Sequence, residues 1–187
     1  MIQPTAVTNF SRSDDELETF WLFCLFVAGK NSDIAANKVG RFLQKRGGQT
    51  PFAYLRGQAN SLHNLLVANK VGQYGRLERA ITQSVELDLR AATLADLTAI
   101  HGVGPKTARF FLLHSRRDCE CAVLDVHILR WLREECGVDD APAQTPAMGE
   151  QYERLERLCL SLMKAHFPGL SVAEIDLLLW TKMSGRF

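Results

Sequence analysis

Apolar and polar residues alternate along this chain mainly with the period of an α-helix. An apolar run from Phe20 to Ala28 follows the segment Ser13-Asp14-Asp15-Glu16. That segment has the S-x-x-E form of a capping box, in which the serine and glutamate side chains satisfy backbone N–H groups at a helix start. The run is much shorter than the roughly 20 residues that cross a bilayer. It therefore predicts a buried helix that ends near Gly29.

Helix start and stop signals recur along the whole chain. A second helix is predicted to begin at Ser32 or Asp33 and to end at Gly47-Gly48, and Thr50-Pro51 is typical of the next helix start. Further helices are predicted near residues 62–67, 77–85, 94–99, 105–114, 125–132, 148–165 and 171–183. Residues 137–146 are the one evident linker, and strand patterns are scarce. The sequence predicts an all-α fold of about ten short helices.

Length and composition indicate one ordinary domain or two small lobes. The chain has 187 residues, of which 47% are hydrophobic and 23% charged, so intrinsic disorder, collagen-like repeats and coiled coil are excluded. We expect a cytoplasmic protein with no membrane segment. Its five cysteines are an odd number without a C-x-x-C pair, which gives little support to a disulfide framework or a zinc site.

Charge is unevenly distributed. The 22 basic and 21 acidic residues leave a net charge of +1, which by itself predicts neither a nucleic-acid nor a membrane partner. However, residues 30–58 hold six basic side chains against Asp33 alone, and residues 100–133 hold six against three acidic ones. These segments could form one positive face or could simply be solvated helix surfaces.

The most informative segment is a glycine hairpin between two predicted helices. Gly102, Val103 and Gly104 precede a helix with Pro105 at its first position, followed by Lys106 and Thr107. Glycines allow a sharp turn and a close backbone approach, and free N–H groups at a helix N-terminus suit a phosphate. We therefore expect residues 102–104 and Thr107 to contact a DNA backbone. An ordinary helix–helix turn is the alternative.

Lys106 and Asp125 are candidates for chemistry. A cation is disfavoured in the first turn of a helix, and the positive dipole end together with partial burial would favour a neutral, nucleophilic amine. Asp125 stands at the start of the next helix, where it could be an N-cap or could face the same cleft as Lys106.

These residues resemble a known family. Residues 100–108 and 124–130 are similar to the helix–hairpin–helix–GPD superfamily of DNA base-excision glycosylases. The resemblance implies that Lys106 is a nucleophile, that Asp125 is the essential carboxylate, and that His127 lies near the phosphate of a flipped nucleotide. It also implies an all-helical fold with a cleft between two lobes, placed here at residues 30–133, with the helix–hairpin–helix at 94–114, and at 1–29 plus 134–187.

Two further stretches resemble the archaeal-type 8-oxoguanine DNA glycosylases. Residues 174–180, followed by Ser184-Gly185-Arg186, are similar to the ending of that branch, and residues 28–31 and 71–76 are weaker echoes. The resemblance suggests a base pocket of Asn31, Asp176 and Trp180. Asp176 and Trp180 are four residues apart and share a helix face. A core tryptophan and a capping aspartate are the alternative.

The resemblance implies neither an iron–sulphur cluster nor another metal or organic cofactor. The chain has no C-terminal set of four cysteines, although a monovalent cation would fit the hairpin carbonyls. The expected function is a monomeric, bifunctional DNA glycosylase/AP lyase acting on DNA with a flipped modified base.

8-Oxoguanine is the first expected substrate of such an enzyme. Archaeal-type enzymes usually finish with lysine, whereas this sequence finishes with Phe187, so a deazaguanine or other modified guanine is also considered. The alternatives are a non-catalytic DNA- or nucleotide-binding module and a role in bacterial defence or base modification.

Overall fold

The computed structural model describes residues 2–185, and that range contains ten α-helices and no β-strand. Met1, Arg186 and Phe187 lie outside the described residues, so the resemblance at Arg186 and Phe187 has no structural counterpart. The helices are α1 (Asp14–Val27), α2 (Ser32–Phe42), α3 (Pro51–Gly57), α4 (Leu62–Ala68), α5 (Tyr74–Ser84), α6 (Leu94–Ala99), α7 (Pro105–Ser115), α8 (Val126–Glu134), α9 (Glu150–His166) and α10 (Val172–Met183). The predicted all-α fold is confirmed.

Most helix starts follow from side-chain caps. The N-cap side chain accepts a first-turn N–H in six helices, at Ser13, Asn31, Thr50, Thr93, Asp125 and Ser171. The predicted end of α2 was too late, because the helix stops at Phe42 and the following residues turn towards Gly47 and Gly48, both at positive φ.

The chain divides into two compact units. Unit 1 comprises residues 2–7 and 11–103, and unit 2 comprises residues 8–10 and 104–185. This division differs from the predicted lobes, which separated residues 1–29 and 134–187 from 30–133. The reason is packing: α1 lies against α2, α3 and α5 within unit 1, whereas α8 lies against α10 within unit 2.

The core of unit 1 is organised around α1. Every residue from Phe20 to Phe26 is buried, as expected for a helix that is apolar on all sides. The Phe26 and Phe42 rings join α1 to α2 with centroids 5.3 Å apart, and Trp21 Nε1 donates to Ser84 Oγ at 2.8 Å. Within residues 2–185, no helix is long and apolar enough to span a membrane.

The core of unit 2 is organised around α10, which packs against α7, α8 and α9. Large buried side chains fill this core, among them Trp131, Tyr152, Met163 and Leu179. The predicted linker at residues 137–146 is non-helical but attached to this unit. Arg133 Nη1 donates to Pro142 O at 2.6 Å, and Thr145 Oγ1 donates to Leu124 O at 2.7 Å. Within this packed unit, α7, α8 and α10 carry five of the ten predicted site residues, namely Lys106, Thr107, His127, Asp176 and Trp180.

Candidate nucleic-acid and catalytic site

The N-terminus of α7 is open. Its N-cap, Gly104, makes no side-chain hydrogen bond, Pro105 has no N–H, and the first turn contains no acidic residue. The N–H groups of Lys106 and Thr107 therefore lie at the positive end of the helix dipole, outside the intrahelical hydrogen-bond ladder. Both side chains are half-buried. This geometry suits an anion, and the predicted phosphate contact stays a prediction.

The two hairpin glycines have different structural roles. Gly102 has φ +74°, and a Cβ there would lie 2.6 Å from Cγ of Arg76, whose Nη1 donates to Gly102 O at 3.3 Å. Glycine is thus required at residue 102 by the fold itself. Gly104 has extended backbone, and a Cβ there would meet no atom within 4 Å. Its lack of a side chain leaves space for a partner outside the chain.

Val103 is held inside the protein. Its side chain is buried, and its N–H donates to Ile100 O at 3.0 Å. Any contact of this residue with DNA is therefore left to its backbone carbonyl.

Asp125 is the N-cap of α8, which is one of the two roles that the sequence predicts for it. Its Oδ1 accepts the N–H groups of His127 and Ile128, both at 2.9 Å. The residue is 8% exposed. Because Oδ1 makes both of these bonds, the capping role leaves Oδ2 for another role.

The backbone that leads to Asp125 is fixed by buried polar side chains. Tyr152 Oη accepts the N–H of Leu124 at 3.2 Å and donates to Ala122 O at 3.1 Å. Glu156 Oε1 accepts the N–H of Ala122 at 3.0 Å. Both carboxylate oxygens of Glu156 also accept hydrogen bonds from Arg109, each at 2.7 Å, and so form a bidentate pair. Charge-assisted bidentate pairs of this kind are strong and directional. Asp125 is thus placed by α7 and α9 together.

Asp176 is a buried carboxylate with one partnered oxygen. Its Oδ2 lies 3.1 Å from Nε2 of His114, and Nδ1 of His114 lies 2.7 Å from Oγ1 of Thr8. In the described part of the chain, Asp176 Oδ1 is buried without a hydrogen-bond partner. A buried acceptor without a partner is costly, so the position of this oxygen calls for an explanation.

Three predicted residues share one electrostatic environment in unit 2. The pKa of Asp176 is raised, mainly because burial disfavours the charged form, and His114 opposes that shift. The negative charge of Asp125 raises the same pKa further, and the positive charge of Lys106 lowers it. The charges of Lys106 and Asp125 therefore both act on the buried carboxyl group of Asp176.

The two aromatic candidates of unit 2 are also in contact. The rings of His127 and Trp180 meet edge to face, with centroids 6.4 Å apart and an interplanar angle of 87°. Trp180 lies one turn after Asp176 on α10 and is half-buried. Unit 2 thus brings together Lys106, Asp125, His127, Asp176 and Trp180.

Asn31 belongs to unit 1, where its side chain caps α2. Its Oδ1 accepts the N–H groups of Asp33 at 3.0 Å and Ile34 at 3.1 Å. The side chain is exposed, but its carbonyl is engaged in capping.

Next to Asn31, unit 1 holds a cationic cluster, defined here as Lys30, Lys38 and Arg76. Lys30 Nζ donates to Val71 O at 2.5 Å, and Lys38 Nζ lies 3.5 Å from the same oxygen. The pKa of Lys30 is lowered by burial and then by the charges of Lys38 and Arg76. None of the ion pairs among residues 2–185 includes these three side chains. The cluster is suited to an anion.

Sequence reasoning missed several residues that support the site. His114 and Thr8 hold Asp176, and Arg76 packs on the hairpin. The available signal for His114 was a lone polar residue at the end of the apolar stretch of α7, and for Arg76 it was its place in the segment 71–76. Within residues 2–185, no group of three or more His, Cys, Asp or Glu side chains could hold a metal ion.

Comparison with known proteins identifies a motif and a fold. Residues 84–113 match the family described as helix-hairpin-helix motif. The structure of Methanocaldococcus jannaschii 8-oxoguanine DNA glycosylase matches at 20% sequence identity, with a TM-score of 0.69, over 96% of this chain and 84% of that one.

The same archaeal protein, described as an 8-oxoguanine glycosylase/lyase in complex with a 15mer DNA containing 8-oxoguanine, matches at 21% identity and a TM-score of 0.68, over 94% and 84% of the two chains. The chain therefore contains the helix–hairpin–helix motif and shares the fold of this glycosylase.

The substitution Asp176→Asn should stabilise the fold at neutral pH. Because the pKa of Asp176 is higher in the folded than in the unfolded chain, the unfolded carboxyl ionises at a lower pH. The wild type therefore loses stability as pH rises from the unfolded pKa to the folded pKa. The advantage of the variant in unfolding free energy should therefore shrink as pH falls, which urea unfolding at several pH values would measure.

Asp96→Asn is the matched control, because hydrogen bonds from Thr93 lower the pKa of Asp96 and reverse the expected pH dependence. If Asp176→Asn is less stable than wild type at every pH, burial of the charged Asp176 carboxylate does not destabilise the fold.

Proposed function

We propose that this chain is a DNA base-excision glycosylase with AP lyase activity, and that it removes an oxidised or modified purine, 8-oxoguanine first. The observation that carries the proposal is the shared environment of Lys106, Asp125 and Asp176 in unit 2. The fold shared with an 8-oxoguanine glycosylase/lyase supports the reaction class. The assignment of chemistry rests on the residues themselves, because the identity to that enzyme is 21%.

DNA would be held through its phosphates. The open N-terminus of α7 offers backbone N–H groups and the hydroxyl of Thr107, and the absence of a Cβ at Gly104 allows close approach. The cationic cluster of unit 1 adds three basic side chains, none of which forms an ion pair within residues 2–185. Contacts of this kind position a protein on DNA without reading sequence.

The target base would be read after it leaves the helical stack. Flipping the nucleotide out of the stack costs a few kcal/mol, and contacts with the base in a pocket offset this cost. Asp176 Oδ1, which is buried without a partner in the described residues, would accept an N–H of the purine, and Trp180, one turn along α10, would stack on it. His114 would keep the carboxylate oriented.

The bond-breaking step would use the lysine amine. Neutral Lys106 Nζ attacks C1′ of the sugar while the base departs with its bonding electrons and is protonated. Asp125 accepts the proton that the new ammonium loses, or stabilises positive charge on the sugar. Opening of the sugar ring gives a Schiff base. Loss of a C2′ proton then expels the 3′ phosphate by β-elimination, and no step in this sequence needs a metal or an organic cofactor.

Lys106→Gln should abolish covalent capture by borohydride, because glutamine has no amine to form the imine. The measurement is trapping on duplexes that carry 8-oxoguanine, a deazaguanine, uracil, an oxidised pyrimidine or an abasic site. Lys164→Gln is the control, since it removes a lysine charge from an exposed ion pair of the same unit.

Each outcome of this panel identifies a function. Trapping of wild type on one base identifies the substrate, and trapping only on the abasic site indicates lyase chemistry without base selection. Salt-dependent DNA binding without any trapping would favour the non-catalytic module. Full excision and trapping by Lys106→Gln would refute the nucleophile assignment.

Asp125→Asn should separate capping from chemistry. Asparagine is as good an N-cap as aspartate, so the unfolding free energy should change by no more than about 0.5 kcal/mol. The single-turnover excision rate should fall by a factor on the order of 10²–10⁴, the usual contribution of a general base. Excision at the wild-type rate would show that Asp125 only caps α8.

Gly104→Ala should weaken DNA binding with little loss of stability. A Cβ at this position meets no atom of the chain, so the unfolding free energy should fall by about 1 kcal/mol at most, from poorer capping. The Kd should rise by a similar factor for damaged and undamaged duplexes, because phosphate contacts carry no sequence information. Gly57→Ala, also in open space, is the control, and equal DNA affinities for both variants would argue against phosphate contact at residue 104.

A further inference from the structure

Two thiols lie together in the loop between α7 and α8. The Sγ atoms of Cys119 and Cys121 are 3.6 Å apart, and both residues are half-buried. Cys121 Sγ also lies 3.5 Å from the backbone carbonyl oxygen of Arg109. The loop has no helix or strand, so its backbone is not constrained by a hydrogen-bond ladder.

The two thiols differ in character. The pKa of Cys119 is lowered, first by the hydrogen bond between the two thiols and then by the charge of Arg116. The pKa of Cys121 is raised by that same hydrogen bond and by burial. Burial also raises the pKa of each remaining cysteine, namely Cys24, Cys136 and Cys159. Cys119, whose half-buried thiol ionises more readily, therefore lies next to the thiol of Cys121.

We propose that Cys119 and Cys121 form an intramolecular disulfide when the protein meets a peroxide. This modification does not depend on the proposed enzymatic function. The thiolate of Cys119 attacks one peroxide oxygen, which breaks the O–O bond and releases hydroxide. Cys121 then attacks the resulting sulfenic sulphur and displaces a second hydroxide. Two thiols lose two electrons and two protons, and one hydrogen peroxide becomes two water molecules.

The closure required is short. The sulphurs must approach from 3.6 Å to the disulfide distance of about 2.05 Å. The ring closes one residue before Ala122, whose N–H is held by Glu156, and four residues before Asp125. Oxidation would therefore act on the segment that positions the candidate catalytic carboxylate.

Trypsin digestion tests this proposal directly. Cleavage after Arg117 and Arg130 releases a peptide, residues 118–130, that contains both cysteines and no other. Full-length protein is treated with hydrogen peroxide, and its free thiols are alkylated under denaturing conditions. After digestion, mass spectrometry measures the mass of the peptide. We expect a peptide that carries no alkyl group and is two hydrogen atoms lighter than the same peptide with two free thiols. Reduction with dithiothreitol before alkylation should give the fully alkylated peptide.

Single substitutions assign the two roles. Cys121→Ser should leave Cys119 as a sulfenic acid that dimedone captures, and Cys119→Ser should slow oxidation at residue 121 by at least about tenfold because the activated thiolate is lost. Cys136→Ser, which removes a half-buried cysteine elsewhere in unit 2, should retain the disulfide.

The proposal is overturned if peptide 118–130 stays fully alkylated while other thiols are oxidised, or if Cys119 is found joined to Cys136 or to another chain. Circular dichroism of each variant before treatment shows that the compared proteins are folded.

Discussion

The buried carboxylate of Asp176 is the constraint on which the arrangement of unit 2 depends. Removal of a carboxylate from water is strongly unfavourable unless hydrogen bonds and opposite charge compensate. Compensation here is incomplete, since His114 contacts one oxygen and the other has no partner in the described part of the chain. A fold that needed only stability would place an apolar residue at this position. The base pocket proposed above would account for this cost, because proteins retain such costs at functional sites.

Helix α7 links this carboxylate to the candidate nucleophile. It carries Lys106 in its first turn and His114 in its last, about 12 Å apart along the axis. Between them, Arg109 binds Glu156, which also holds the backbone of Ala122 before Asp125. A displacement of α7 would therefore disturb the amine, the orientation of Asp176 and the approach to Asp125 together. The buried Arg109–Glu156 pair is best understood as a positioning device, since such pairs contribute specificity of geometry more reliably than stability.

The sequence was informative where the relevant physics is local. Caps such as Ser13 and Thr93 satisfy N–H groups of their own helix, so the starts of α1 and α6 could be predicted. The hairpin glycines are a local signal of the same kind, whereas the roles proposed for Lys106 and Asp125 come from a resemblance to a family and not from their spacing. By contrast, Thr8 meets His114 across 106 positions of sequence, and no local pattern encodes that contact. The division into units likewise depends on which helices pack together, which short-range patterns do not determine.

Net charge is a poor guide to where a protein could bind an anion, and the distribution of ion pairs in the described residues shows why. Near-neutrality suggests no affinity for nucleic acid, yet charges act over roughly 10 Å at moderate ionic strength, so their local arrangement matters more than their sum. Acidic side chains such as Asp15 and Glu156 are paired with Arg46 and Arg109 and have little free charge to present. Lys30, Lys38 and Arg76 have no such partner among the described residues, and the first turn of α7 has no acid. Lys30, Lys38, Arg76 and the first turn of α7 therefore belong to the positive charge that ion pairs within residues 2–185 do not neutralise, and they are the positions at which we propose phosphate contacts.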